Sequence, residues 1–140
     1  MARGYLTRRV TFAAAPRYRR PEWDDARNAA TFGLCARPNY HGHTYRCDVT
    51  VAGTIDEVTG FVADLGVLDE VLRREVHERY DHRNINLDIP EFAEGRLVPT
   101  GENLARVIFG QVQGALAGGV EVVEVRVAED ETLWSSYRGE

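Results

Sequence analysis

Apolar and polar residues alternate over Tyr5 to Phe12, which predicts a first strand. A second, clearer alternation sets Tyr45, Cys47, Val49 and Val51 against Arg46, Asp48 and Thr50, and Gly53 ends it. Gly60-Phe61-Val62 is expected to extend a hairpin return. Asp64 is a good N-cap for a helix in which Leu65, Leu68, Leu72, Val76 and Tyr80 keep helical spacing and face a sheet. Thr100 caps a second helix with Leu104, Ile108, Val112 and Leu116 on its buried side, and Gly118-Gly119 stops it. Val123, Val125 and Val127 then alternate with Glu124 and Arg126 in a third strand, and Leu133 to Arg138 form a fourth. The expected class is α+β in the order ββααββ, an antiparallel four-stranded sheet with two helices on one face. Residues 13–42 have only weak periodicity, and loops of that length inside compact domains are functional or disordered.

At 140 residues the chain is expected to be a single domain, residues 1–140, with one core. The formal net charge of −5 argues against nucleic acid as a partner, because binding to phosphate backbones draws on an excess of Lys and Arg. Arg17, Arg19 and Arg20 are a local basic cluster, readable as a solvated loop or as an anion site. No apolar run suits a signal peptide or a membrane span, so residence in the cytoplasm is expected. There Cys35 and Cys47 stay reduced and unbridged.

Candidate chemistry concentrates in the aperiodic stretch and just after the first helix. Cys35 is followed by His41-Gly42-His43, two histidines on one face of a strand where both rings can reach one ion, and Asp81-His82 pairs a carboxylate with an imidazole. Each has a plainer reading: His-x-His pairs occur on ordinary half-exposed strands, Cys35 suits a small loop hydrophobe, and a histidine is comfortable at a helix C-terminus. His77 reads as a helix surface residue.

Taken together in order, these residues resemble a known family. Phe12-Ala-Ala-Ala, Phe32-Gly33-x-Cys35, Pro38-Asn39-x-His41-Gly42-His43-x-Tyr45, Asp81-His82-x-Asn84, Leu87-Asp-Ile-Pro-x-Phe92, Pro99-Thr100-x-Glu102-Asn103 and Tyr137-Arg-Gly-Glu are similar to motifs of the 6-pyruvoyltetrahydropterin synthases and the related 6-carboxytetrahydropterin synthases. The spacing of Cys35 from His41 is closer to the pyruvoyl type. The resemblance implies the tunnelling fold, with subunits joined through their sheets into a homo-oligomer, a trimer or a hexamer of two trimers. It implies Cys35 as the base that moves protons on the substrate side chain, Asp81 and His82 as the rest of the relay, and His41 and His43 as zinc ligands. Glu129 would anchor a pterin-like ring through two hydrogen bonds, with Thr100 and Glu102 as further substrate-binding residues. Glu131 is the alternative anchor, because the family's Glu-Thr pair occurs here as Glu131-Thr132 while Asp130 follows Glu129. The second position of the family's polar pair after Pro99 is Gly101.

One departure changes the picture. The family's third zinc-ligand histidine follows the Phe-x-Ala-x motif, and this chain has Pro16 there, which offers no ligand atom. Catalytic zinc needs three protein ligands and an open position. Either Glu22, Asp24, Asp25 or Cys47 supplies the third donor, or zinc is weakly bound or absent, which is the reading favoured here. The expected function is then a lyase or cyclase using the Cys35, Asp81, His82 relay on an altered small-molecule substrate: elimination of phosphate, retro-aldol cleavage, or a Pictet–Spengler-type condensation with a polyhydroxy aldehyde phosphate. The alternatives are an authentic pterin synthase that removes triphosphate from dihydroneopterin triphosphate, and a binding subunit without turnover.

Overall fold

The computed structural model describes residues 1–140. Strands β1 (Arg3–Ala15) and β2 (His43–Thr54) form a long antiparallel pair, with Phe12 opposite Tyr45 and Ala14 opposite His43. On the other side of β2 run β4 (Glu121–Ala128) and then β5 (Trp134–Tyr137), both antiparallel to their neighbours. Phe12, Tyr45, Cys47, Val49, Val51, Val125 and Val127 are fully buried because period-two geometry turns them all to one face.

That face is covered by α2 (Leu65–Leu72) and α5 (Gly101–Ala115). Asp64 caps α2 by accepting the Val67 N–H at 3.1 Å, and Thr100 caps α5 by accepting the Asn103 N–H at 3.2 Å, as their positions in the sequence predict. Leu68, Leu72, Leu104, Ile108 and Val112 bury against the sheet. Leu65, at the first turn of α2, stays 45% exposed, and Leu116 lies just past the end of α5.

The α+β class stands, with two corrections to the four-stranded antiparallel sheet. A fifth strand, β3 (Arg83–Asn84), runs parallel to Ala14 and Ala15 at the edge of β1 and leads into the single turn α4 (Ile85–Asp88); the sheet order is β3-β1-β2-β4-β5. Two residues carry no periodicity, so the pattern could not reveal them. Opposite Thr50 and Val51 the β4 register skips Val123, so a bulge puts Val122 into the core where strict alternation expects Val123. The segment at Gly60-Phe61-Val62 is a turn closed by Asp56 N–H to Phe61 O (3.0 Å), not a strand.

Two further departures position the site. The aperiodic stretch holds α1 (Asp25–Phe32) and a 3₁₀ turn, Gly33–Ala36. After α2 the chain widens into a π-helical turn, Arg73–His77, before the short α3 (Glu78–Tyr80). Such turns are commonly found at functional sites, and this one leads straight into Asp81-His82.

Candidate active site

Cys35 sits in the 3₁₀ turn that closes α1, and its carbonyl accepts the Tyr18 N–H at 2.8 Å. The loop before it is held by buried Asn28, which accepts from the Arg20 N–H (2.8 Å) and donates to the carbonyls of Arg20, Trp23 and Asp24. Stacking of Phe32 on Trp23, centroids 5.8 Å apart, completes that loop's own small core. The stretch that has no periodicity is therefore ordered by side-chain to backbone bonds, which periodicity does not register.

The Cys35 sulfur lies 3.8 Å from Nε2 of His41. His41 precedes β2 and His43 begins it; their rings are perpendicular with centroids 4.7 Å apart, and His43 in turn meets the edge of Tyr45 at 5.5 Å. Burial pushes the Cys35 thiol up from its ordinary value, and the negative charge of Glu129 adds to the effect. Burial and the neighbouring His43 lower His41, with Glu129 opposing them. Both shifts favour the uncharged forms, so Cys35 and His41 meet as thiol and imidazole.

Glu129 follows the last residue of β4, and its Oε1 accepts the Tyr18 hydroxyl at 2.8 Å. Its charge also reaches Tyr45, whose hydroxyl is fully buried without a hydrogen-bond partner and is driven up chiefly by burial. Asp130, where the resemblance leads one to expect threonine, has a local role. Its Oδ1 accepts from Thr132 N (2.6 Å), Thr132 Oγ1 (2.8 Å) and Leu133 N (3.1 Å), closing the β4–β5 turn. Glu131 is exposed and makes no hydrogen bond or ion pair, so Glu129 is the glutamate that stands with Cys35 and His41.

Asp81 and His82 lie at the β1 edge. Asp81 Oδ1 accepts the Ala13 N–H (2.8 Å) and Oδ2 the His82 Nδ1–H (2.6 Å), while the His82 N–H donates to Ala13 O (2.6 Å) from a left-handed backbone, φ 60°. The bonds to Ala13 and His82 lower the Asp81 carboxyl below its ordinary value. His82 Nε2 is left free on a ring that is 84% exposed, and His82 shares an open cavity of about 480 Å³ with His43. No hydrogen bond within the chain joins Cys35 to His82; the thiol's partner is His41.

Thr100 spends its acceptor on the α5 cap and keeps its hydroxyl proton. Glu102 accepts from Ser135 Oγ at 2.8 Å. A Cβ at Gly101 would fall 2.9 Å from that same Oγ, so the missing side chain of the polar pair is matched by a serine on β5 that fills its room.

For zinc the donor set falls short. Pro16 is buried at the end of β1, and no group of three His, Cys, Asp or Glu is arranged to hold a metal ion. None of the substitute donors stands with the histidines: Glu22 pairs with Arg20, Asp24 caps α1, Asp25 is exposed beside Arg19, and Cys47 is buried in the core. Two histidines do not match a three-ligand catalytic site. Of the basic cluster, Arg19 and Arg20 are in ion pairs, and Arg17 holds the Ala36 carbonyl at 3.1 Å.

Residues 5–140 match the model of the family described as 6-pyruvoyl tetrahydropterin synthase. The chain belongs to that family. It is 37% identical over 135 residues to the human 6-pyruvoyl tetrahydrobiopterin synthase, covering 96% of this chain and 91% of the human one. A 6-carboxy-5,6,7,8-tetrahydropterin synthase of Bacillus subtilis is 35% identical over 111 residues, 76% of this chain and 71% of that protein. Among solved structures, the Caenorhabditis elegans 6-pyruvoyl tetrahydropterin synthase superposes with a TM-score of 0.92 at 30% identity, over 100% of this chain and 98% of that one. As a member of this pterin synthase family, the chain is an enzyme of the lyase type.

Three residues of the site are not marked as such by the sequence pattern. His77 is no plain surface residue: its Nδ1 donates to Thr11 O at 2.8 Å and its Nε2 lies 3.6 Å from Asp81 Oδ2. The i, i+4 spacing of His77 and Asp81 was the available signal. Ser135 and Tyr18 had none, since each reaches its partner only through the folded sheet.

Proposed function

We propose that this chain is a pterin synthase of the 6-pyruvoyl type, a lyase that takes dihydroneopterin triphosphate and expels triphosphate. What supports this most is the gathering of a thiol, Cys35, and an acceptor carboxylate, Glu129, around His41. Glu129 can accept two N–H donors from the amidine edge of the pterin ring, which fixes orientation as well as affinity. The ring is thereby held with its side chain toward Cys35, which moves a proton at a side-chain carbon as triphosphate leaves. One side-chain carbinol gives up the two electrons that reduce the ring and becomes a ketone; elimination of triphosphate leaves an enol that tautomerises to the second ketone, so no outside oxidant is needed. Thr100 and Glu102 add polar contacts at the ring, and Asp81 keeps the His82 ring in the tautomer whose Nε2 is free to take or give a proton.

In this reading the zinc site is weak or empty, and no step passes through it. The enzyme is cytoplasmic and works on small molecules, with no membrane or nucleic-acid partner; no helix is long and apolar enough to cross a membrane. It assembles as a trimer or hexamer. The exposed His82 and the uncovered edges of β3 and β5 support a ring in which a neighbouring subunit completes the site. Light scattering of purified protein should give a trimer or hexamer mass, and a stable, active monomer would contradict it.

Incubation with dihydroneopterin triphosphate should release inorganic triphosphate with formation of 6-pyruvoyltetrahydropterin, followed by chromatography. An unchanged substrate would overturn this reading. A second reading, the same relay on an altered substrate, is favoured by one observation, Pro16 in place of a zinc ligand. It takes over if that assay fails.

A further inference from the structure

Tyr18 bonds to two parts of the chain that are remote in sequence and meet at the site. Its backbone N–H donates to the Cys35 carbonyl at 2.8 Å, and its hydroxyl donates to Glu129 Oε1 at 2.8 Å. The ring is fixed from the other side by an edge contact with Phe32, centroids 6.1 Å apart, and Phe32 is itself stacked on Trp23. Next to it, Arg17 Nε holds the Ala36 carbonyl at 3.1 Å. One residue therefore ties the thiol segment to the anchor carboxylate, its hydroxyl reaching a partner 111 positions away in sequence.

The bond to Glu129 also restricts what that carboxylate can bind. Burial drives the Tyr18 phenol far above its ordinary range, so it stays protonated and is a permanent donor. An ionised carboxylate offers about four lone-pair sites. Tyr18 takes one of them on Oε1 and fixes the plane of the group. Oε2 and the remaining site on Oε1 are then presented together, the arrangement that a planar edge with two parallel N–H donors fits.

We infer that Tyr18 is a positioning and specificity residue: it sets the Glu129 carboxylate to take an amidine edge and holds that carboxylate at a fixed separation from the Cys35 thiol. The inference rests on the reading that Glu129 anchors a pterin ring.

The test compares two probes, pterin and lumazine, which differ in that lumazine carries an oxo group in place of the 2-amino group. Wild-type protein should bind pterin more tightly, measured by fluorescence or calorimetry. Tyr18→Phe keeps the ring contact with Phe32 and should weaken pterin about tenfold, the usual scale for a lost hydrogen bond to a charged group. Lumazine binding should barely change, so the ratio falls. Glu129→Ala should abolish the ratio, and Tyr18→Phe should add nothing in that background, whereas a purely structural effect would add. A 3-fluorotyrosine placed at position 18 keeps shape and strengthens the donor, so it should preserve or raise the ratio even if Tyr18→Phe does not fold. An unchanged ratio in Tyr18→Phe, or a fall with fluorotyrosine, overturns the inference while leaving the anchoring role of Glu129 intact. If wild-type protein does not prefer pterin, the anchoring reading fails and the role of Tyr18 fails with it.

Discussion

Nδ1 of His82 lies 2.6 Å from Oδ2 of Asp81, and the same carboxylate takes the Ala13 N–H on its other oxygen. A single group thus fixes the histidine ring and closes β3 against β1. Asp81→Asn should lower activity by disturbing the histidine tautomer. It should also cost stability in a pH-dependent way. The carboxyl is lowered in the fold, so its stabilisation is fully present above the ordinary value of 3.8 and is lost as pH falls through the lower folded value. The stability gap between wild type and Asp81→Asn in urea should therefore be open at neutral pH and close under acid. A gap that widened under acid would be inconsistent with this role.

Cys35 is half-buried, and its sulfur meets Nε2 of His41. Cys35→Ala should lower turnover by roughly 10²–10⁴-fold, the scale of losing a positioned proton-transfer group. Circular dichroism and oligomer mass should stay as in the parent. Turnover at the parent rate would remove the thiol from the mechanism.

Gly101 and Ser135 are coupled by the 2.9 Å separation between a Cβ at 101 and the serine Oγ. Gly101→Ala should displace that hydroxyl from Glu102, at a cost of about 1 kcal/mol for the lost hydrogen bond. In a Ser135→Gly background the cost should disappear, giving a measurable coupling in a double-mutant cycle. Additive effects in urea denaturation would show that the two positions do not interact.

Protein purified without added metal should hold well below one zinc per subunit by elemental analysis. Pro16→His places a histidine where the family resemblance expects the third donor and should raise zinc affinity on the order of a hundredfold, taking about 3 kcal/mol of a zinc site's ~10–16 kcal/mol to rest on one ligand. Stoichiometric zinc in the unaltered protein that resists chelation would mean that two histidines and a donor from elsewhere suffice.

The long strands, the two capped helices and the family are legible along the chain, because each is written in local terms. Periodicity names the buried face of β2 and α5, Asp64 and Thr100 are caps wherever they precede a helix, and motifs such as His41-Gly42-His43 are read in line. Which groups meet is settled by the fold. Two-residue β3 exists because Ala14 and Ala15 offer it an edge, and Val122 enters the core because a bulge resets the register. That Glu129 and not Glu131 stands near Cys35 and His41 depends on the turn that Asp130 closes. The pairing of Cys35 with His41, the place of Tyr18 on Glu129 and the seat of Ser135 over Gly101 are contacts between side chains brought together by the fold, and distance in space leaves no period in a sequence.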